Sequence, residues 1–268
     1  MILTEIATSG TVYALIGAFA GLMSGILGIG GGVIVVPGLL FIFRHNPDFP
    51  THIIMHMAAG TSLAVMLFTS QSSIRAHYKL NGILWSAYKR LWPGIVVGTI
   101  LGALCADLLP THWLKILFGL FLLFVAVKML SGLHVTHPHR FPNTWINGLV
   151  SSLIGFKSGL LGVGGGTLII PYLNYCGIEM RRIAAVSALC TMTVAILGTI
   201  TCIITGSNEI DLPAYSTGYV YWPAVVCVAI PSTLFAPIGA KLTYIIPVKQ
   251  LKFAFVAILL LTAVDLLA

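Results

Sequence analysis

Eight apolar runs constrain this chain more than any other feature. They fall at about Val12–Phe43, Ile53–Ser73, Leu91–Leu109, Trp113–Ser131, Trp145–Cys176, Ile183–Thr205, Tyr219–Leu242 and Leu251–Leu267. A helical bilayer crossing takes roughly 20 residues. Lipid offers no partner for an exposed backbone, so a spanning segment must be a helix or belong to a closed barrel. The short alternating segments of a barrel are absent, which leaves helices. Charged residues make up 8% of the chain, against about 25% in a soluble domain, too few to clothe a water-facing surface. The net charge of +7 does not mark a nucleic-acid partner, because the basic residues sit between the apolar runs, where topology signals lie. The first residues carry Glu5 and no Lys or Arg, so the first run reads as part of the fold and not as a cleavable signal peptide. The five cysteines lie in or beside apolar runs without paired spacing, as buried small hydrophobes do.

The chain repeats itself. Ser24-Gly-Ile-Leu-Gly-Ile-Gly-Gly-Gly ends at Gly32 and reaches Pro37; Ser158-Gly-Leu-Leu-Gly-Val-Gly-Gly-Gly ends at Gly166 and reaches Pro171. Trp92-Pro93 pairs with Trp222-Pro223, Gly102-Ala103 with Gly239-Ala240, and Leu114-Lys115 with Leu251-Lys252, in the same order. The reading is an internal duplication: a first transmembrane repeat over residues 1–133, a cytoplasmic linker over 134–144 and a second repeat over 145–268.

The first and fifth runs are too long for one crossing, and glycines interrupt both. If all runs cross once, Lys and Arg divide seven and seven between the two sides. If those two runs are instead hairpins bent at their glycines, the split is twelve to two, with only Arg44 and Lys115 on the minority side, as the positive-inside rule expects. Each repeat then makes an odd number of crossings, so the second is inverted relative to the first, a recurrent plan among secondary transporters. The expected fold is an all-α integral membrane protein of about eight hydrophobic segments in two inverted repeats, with both termini outside the cytoplasm. Whether the two long runs are hairpins or single broken helices stays open at this stage.

The glycine segments are the strongest functional signal. Gly28, Gly30, Gly31 and Gly32, and their copies Gly162, Gly164, Gly165 and Gly166, would open the return arms, where bare N–H groups and a helix dipole favour an anion. Gly17, Gly21 and Gly25, and Gly94, Gly98 and Gly102, stand four apart, a spacing that serves close helix packing. Lys157 lies just before the second glycine segment and would either neutralise a bound anion or snorkel to the interface; the first repeat has Met23 there. Thr61, Ser62, Ser187, Thr191 and Asn174 are further candidate donors, although a hydroxyl bonded to its own helix is the commoner case. His56 reads as an ordinary interfacial histidine, and His134, His137 and His139 as a solvated loop. No nucleophile–base pair, carboxylate dyad, metal motif or cofactor fingerprint is present, so the chain reads as neither an enzyme nor a cofactor protein.

These segments resemble the TauE/SafE (TSUP) family of sulfite and organosulfonate exporters. The resemblance rests on Gly25-Ile-Leu-Gly-Ile-Gly-Gly-Gly with Pro37, on its copy from Gly159 to Pro171, and on Ala59-Gly-Thr-Ser62 followed by His77 and Gly82, and it covers nearly the whole chain. The second repeat departs from it, reading Ala185-Val-Ser187. The resemblance implies transport, without ATP, of small sulfur-containing anions such as sulfite, thiosulfate or sulfonates across the cell inner membrane. No nucleotide-binding motif is present, so the energy would come from the proton gradient, with protons as the coupling ion, or from the substrate gradient. A passive anion channel and a non-transporting membrane subunit are the competing classes.

Overall fold

In a computed structural model the chain is described over residues 2–27, 31–79, 83–131, 142–178, 180–242 and 248–267. Those residues form ten α-helices: α1 (Ile2–Leu27), α2 (Gly32–His45), α3 (Ile54–Lys79), α4 (Trp85–Leu108), α5 (Thr111–Ser131), α6 (Thr144–Leu161), α7 (Gly166–Tyr175), α8 (Met180–Thr205), α9 (Trp222–Leu242) and α10 (Val248–Leu267). A two-residue β ladder, Ser216–Thr217 against Val220–Tyr221, caps the loop before α9. The first and fifth apolar runs each become two helices, broken at the glycines. Most of the linker, residues 134–141, lies outside the described residues.

Both broken runs are hairpins. Gly31 lies over Ala20 and Gly38 over Ile16, so α2 runs back along α1. In the second copy Gly165 lies over Ile154, and the Tyr172 hydroxyl donates to Asn147 Oδ1 at 2.7 Å, so α7 runs back along α6. Asn147 in turn donates from Nδ2 to the Arg90 carbonyl at 2.9 Å, tying α7, α6 and α4 together.

The two halves interlock. α1 packs on α9 and α6 on α4, each first helix against the fourth helix of the other half. The spaced glycines make these contacts: Gly17 and Gly21 rest on the backbone of Val228 and Ser232, and Gly98 and Gly102 on that of Ser152 and Phe156. Removing the side chain brings two backbones into contact, the usual device where lipid supplies no hydrophobic drive between helices. Gly239 rests on Leu22 as Gly102 rests on Phe156, so these glycines are equivalent. The Trp-Pro pairing read from the sequence is out of register. Trp85 and Trp222 are the first residues of α4 and α9, with the same spacing as Gly102 and Gly239, whereas Trp92 sits two turns inside α4.

The equivalent helices α3 and α8 cross at the centre. Gly60 meets Cys202, Leu63 meets Gly198, and Ser70 Oγ lies 3.1 Å from Met192 Sδ. Contacts that climb one helix descend the other, so the pair is antiparallel, as inverted repeats require. Every residue from Ile53 to Met66 is buried, which is how a helix rich in Thr, Ser and Gly stays inside a membrane protein. Lipid meets the outer helices instead, through residues such as Leu101, Leu120, Ile230 and Leu261. α4, α5, α8 and α9 are long and apolar enough to cross a bilayer.

Candidate functional site

The two glycine segments meet. A Cβ on Gly32, the first residue of α2, would lie 3.1 Å from the Gly162 carbonyl oxygen and 3.2 Å from the Gly164 nitrogen. Gly28 and Gly30 lie outside the described residues. Gly162 ends α6 in the left-handed conformation, φ 67°, with its N–H and that of Val163 both donating to the Ser158 carbonyl, a common glycine stop. Its Cα sits against Ala59 of α3, and Gly164 sits against Met66 and Thr191. The turn is thus clamped between α3 and α8.

Four buried amides at this turn, those of Gly164, Gly165, Gly166 and Thr167, have no hydrogen-bond partner among the described residues. The first bonds of α7 begin with Leu168 and Ile169, both donating to the Gly165 carbonyl. A buried amide without a partner costs about 1–3 kcal/mol, so four at one helix start form a strong anion-seeking surface.

Lys157 turns inward. Its Nζ donates to Thr167 Oγ1 at 3.0 Å and lies 4.2 Å from the centre of the Phe121 ring. The ammonium therefore stands at the positive end of α7, and the one ion pair among the described residues, Arg44–Asp265, is elsewhere. In the first repeat the equivalent residues are Met23 and Val33, so the charge belongs to one hairpin only.

Ser62 is fully buried and its Oγ has no partner. It shares a stripe of α3 with Ala59 and Met66, three and four residues away, and both of these touch the second glycine segment. Thr61 does not join it: its Oγ1 accepts the Tyr221 N–H at 3.1 Å, on another face of α3. The two hydroxyls should therefore respond oppositely in the ligand-free protein. Ser62→Ala removes an unpaired group and is expected to leave stability unchanged or raise it by about 1 kcal/mol, whereas Thr61→Ala, which orphans an amide, should cost about 1 kcal/mol. Thermal unfolding of the two purified variants in detergent checks the signs.

Thr191 belongs to the turn. Ser187 is buried one helical turn away on α8. Asn174 is half-buried in the last turn of α7, about 12 Å along the helix from the glycine start at 1.5 Å per residue, and is not part of the cluster. Thr167 escaped the sequence reading, although its place directly after the triple glycine was the available signal.

His56 Nε2 donates towards the carbonyls of Ala106 and Leu109, at 3.0 and 3.1 Å, a satisfied histidine. Its ring lies against Tyr219, 5.1 Å between centres, and the Tyr219 hydroxyl contacts Asp107 Oδ1 at 2.9 Å and Glu209 Oε1 at 3.3 Å. Burial, reinforced by these two carboxylates, pushes the Tyr219 phenol above its ordinary pKa. A void of about 10 Å³ lies between this group and Gly159–Leu160, with Ala59 in its wall. That is room for about one water.

A family model described as sulfite exporter TauE/SafE matches residues 13–266. The chain is similar to a probable membrane transporter protein of Haemophilus influenzae, 33% identical over 94% of this chain and 96% of the relative. It is also similar to a probable membrane transporter protein of Methanocaldococcus jannaschii, 32% identical over 91% of this chain and 90% of the relative. No solved structure matches the chain. A family match over nearly the whole length, on a multi-pass helical membrane fold with paired glycine hairpins, means that the chain belongs to the TauE/SafE sulfite exporter family of membrane transporters.

Proposed function

We propose that the protein is a secondary transporter that exports small sulfur-containing anions, such as sulfite, thiosulfate or organosulfonates, and binds them at the start of α7. The observation that carries this reading is Lys157, held at the positive end of α7 beside four buried amides without a partner among the described residues. A cation facing the positive end of a helix dipole is unfavourable until an anion stands between them. An oxyanion accepts hydrogen bonds from the ammonium, the amides and the free Ser62 hydroxyl together. The sulfur in the proposal rests on the family's description.

The two hairpins meeting beside crossed, antiparallel helices suit alternating access, with α3 and α8 rocking around a fixed site. Protons are the coupling ion of this reading. The twelve-to-two division of basic residues supports an inner-membrane protein with both termini outside the cytoplasm.

Thermal shift of the purified protein against sulfite, thiosulfate, sulfoacetate, taurine, sulfate and acetate tests the proposal. A ligand that binds only the folded state stabilises it by about 2.7 kcal/mol at a hundred times its Kd. The expected result is a rise with at least one sulfur oxyanion and none with acetate. Folded protein that responds to no sulfur oxyanion would overturn it.

A further inference from the structure

A cleft of about 610 Å³ opens between α1, α2 and α10, a volume within the roughly 300–1,000 Å³ range of small-ligand sites. Its walls are apolar, with Leu15, Ile16, Pro37 and Leu261 among them, and Arg44 and Asp265 stand at one end. The second hairpin differs at the corresponding place. There Tyr172 occupies the position of Gly38, and its hydroxyl is tied to Asn147. In the first hairpin the glycine leaves that place to the Ile16 side chain, which lies against Gly38.

The polar end carries excess positive charge. Arg44 Nη1 donates to Asp265 Oδ2 at 2.8 Å, one of the five N–H groups a guanidinium offers. Lys115 lies close enough to interact with both Arg44 and Asp265. Two cations face one carboxylate, at the mouth of an apolar slot on the surface of a membrane protein. Arg44 and Lys115 are also the two basic residues that the charge count sets apart from the other twelve.

We propose that this cleft holds one membrane phospholipid with an anionic headgroup, its phosphate at Arg44 and Lys115 and an acyl chain along Leu15, Pro37 and Leu261. A guanidinium fork matches phosphate oxygens, and basic pockets between transmembrane helices hold anionic headgroups in the same way. The cleft reaches Val33 and Ile34 in the first turn of α2, so its occupant presses on the helix start that abuts the second glycine segment.

The test is native mass spectrometry of the full chain, delipidated in detergent and titrated with phosphatidylglycerol and with phosphatidylcholine of the same acyl chains. One phosphatidylglycerol should bind per chain, at least tenfold tighter than phosphatidylcholine, and inorganic phosphate should not displace it. Arg44→Gln with Lys115→Gln should weaken phosphatidylglycerol about 30-fold, at about 1 kcal/mol per basic residue. Leu15→Trp, at a lipid-exposed wall position, should block both lipids while leaving thermal stability unchanged. Equal affinity for the two headgroups, or a preference that survives the double substitution, would overturn the proposal. So would a dimer that Leu15→Trp dissociates without any headgroup preference, because the cleft would then seat a second copy of the chain.

Discussion

Replacing Gly162 by alanine is expected to destabilise the protein by about 2–5 kcal/mol. The left-handed backbone accounts for about 1–2 kcal/mol and overpacking for about 1–3. The added Cβ would fall 2.4 Å from Ala59 Cα and 2.6 Å from its carbonyl oxygen, backbone atoms that α3 cannot move without shifting itself. The comparison is Gly31→Ala. That residue caps α2 in an ordinary helical conformation, and among the described residues a Cβ there would meet only Val35 and Ala20 side-chain atoms at 3.8 and 4.0 Å. It should be neutral or stabilise by up to about 1 kcal/mol. Denaturant unfolding of the two variants in detergent measures the difference. Equal costs would mean that α6 and α3 do not approach at Ala59 as described. Gly162→Ala should also abolish ligand binding, since relief of the contact moves the amides that follow.

The second large effect has opposite signs in two measurements. Lys157→Met places in the second repeat the residue that the first already carries. It removes an ammonium that, among the described residues, has one neutral hydrogen-bond partner, Thr167, and no carboxylate. In the absence of ligand the variant should be more stable, by about 1 kcal/mol or more, as apolar replacements of poorly compensated buried charges often are. Anion binding should weaken by about 10- to 100-fold, the value of a charge-assisted hydrogen bond of roughly 1.5–3 kcal/mol. Thermal unfolding without ligand and ligand-induced shift on the same sample give both numbers. A loss of stability would mean that Lys157 is structural, held for Thr167 and Phe121. Unchanged affinity would remove it from the site.

Much of the architecture was legible because its cause is local. A segment in lipid must satisfy its own backbone, so apolar length alone announces helices. Glycine triplets announce their interruption, and the matching order of Gly25–Pro37 and Gly159–Pro171 announces two similar halves. The four-residue glycine spacing read as packing is packing at Gly17, Gly21, Gly94, Gly98 and Gly102. The Trp-Pro match misled because two identical dipeptides can fall in different registers of equivalent helices. Only the position of each tryptophan within α4 and α9 separates them.

The candidate site was legible in its glycines and not in its side chains. Thr61 and Ser62 are neighbours in sequence, yet one is bonded to Tyr221 while the other has no partner. Successive residues on a helix point about 100° apart, and what each meets depends on helices far away in the chain. Asn174 looked equivalent to the other polar candidates but sits at the far end of α7. Lys157 had two equal readings in sequence, the interface or the hairpin, and the structure sets its ammonium against Thr167 and Phe121.

That this chain is a duplicated helical membrane protein broken at two glycine segments can be read from residue order, because bilayer insertion and backbone freedom are properties of single segments. Tertiary structure alone decided that the broken runs fold back, that α3 and α8 cross at the centre, and that the second hairpin carries the charge. It also decided that an apolar cleft with Arg44 and Asp265 at one end lies between α1, α2 and α10. Those outcomes depend on which surfaces meet, and residues far apart in the chain meet only once the helices have packed.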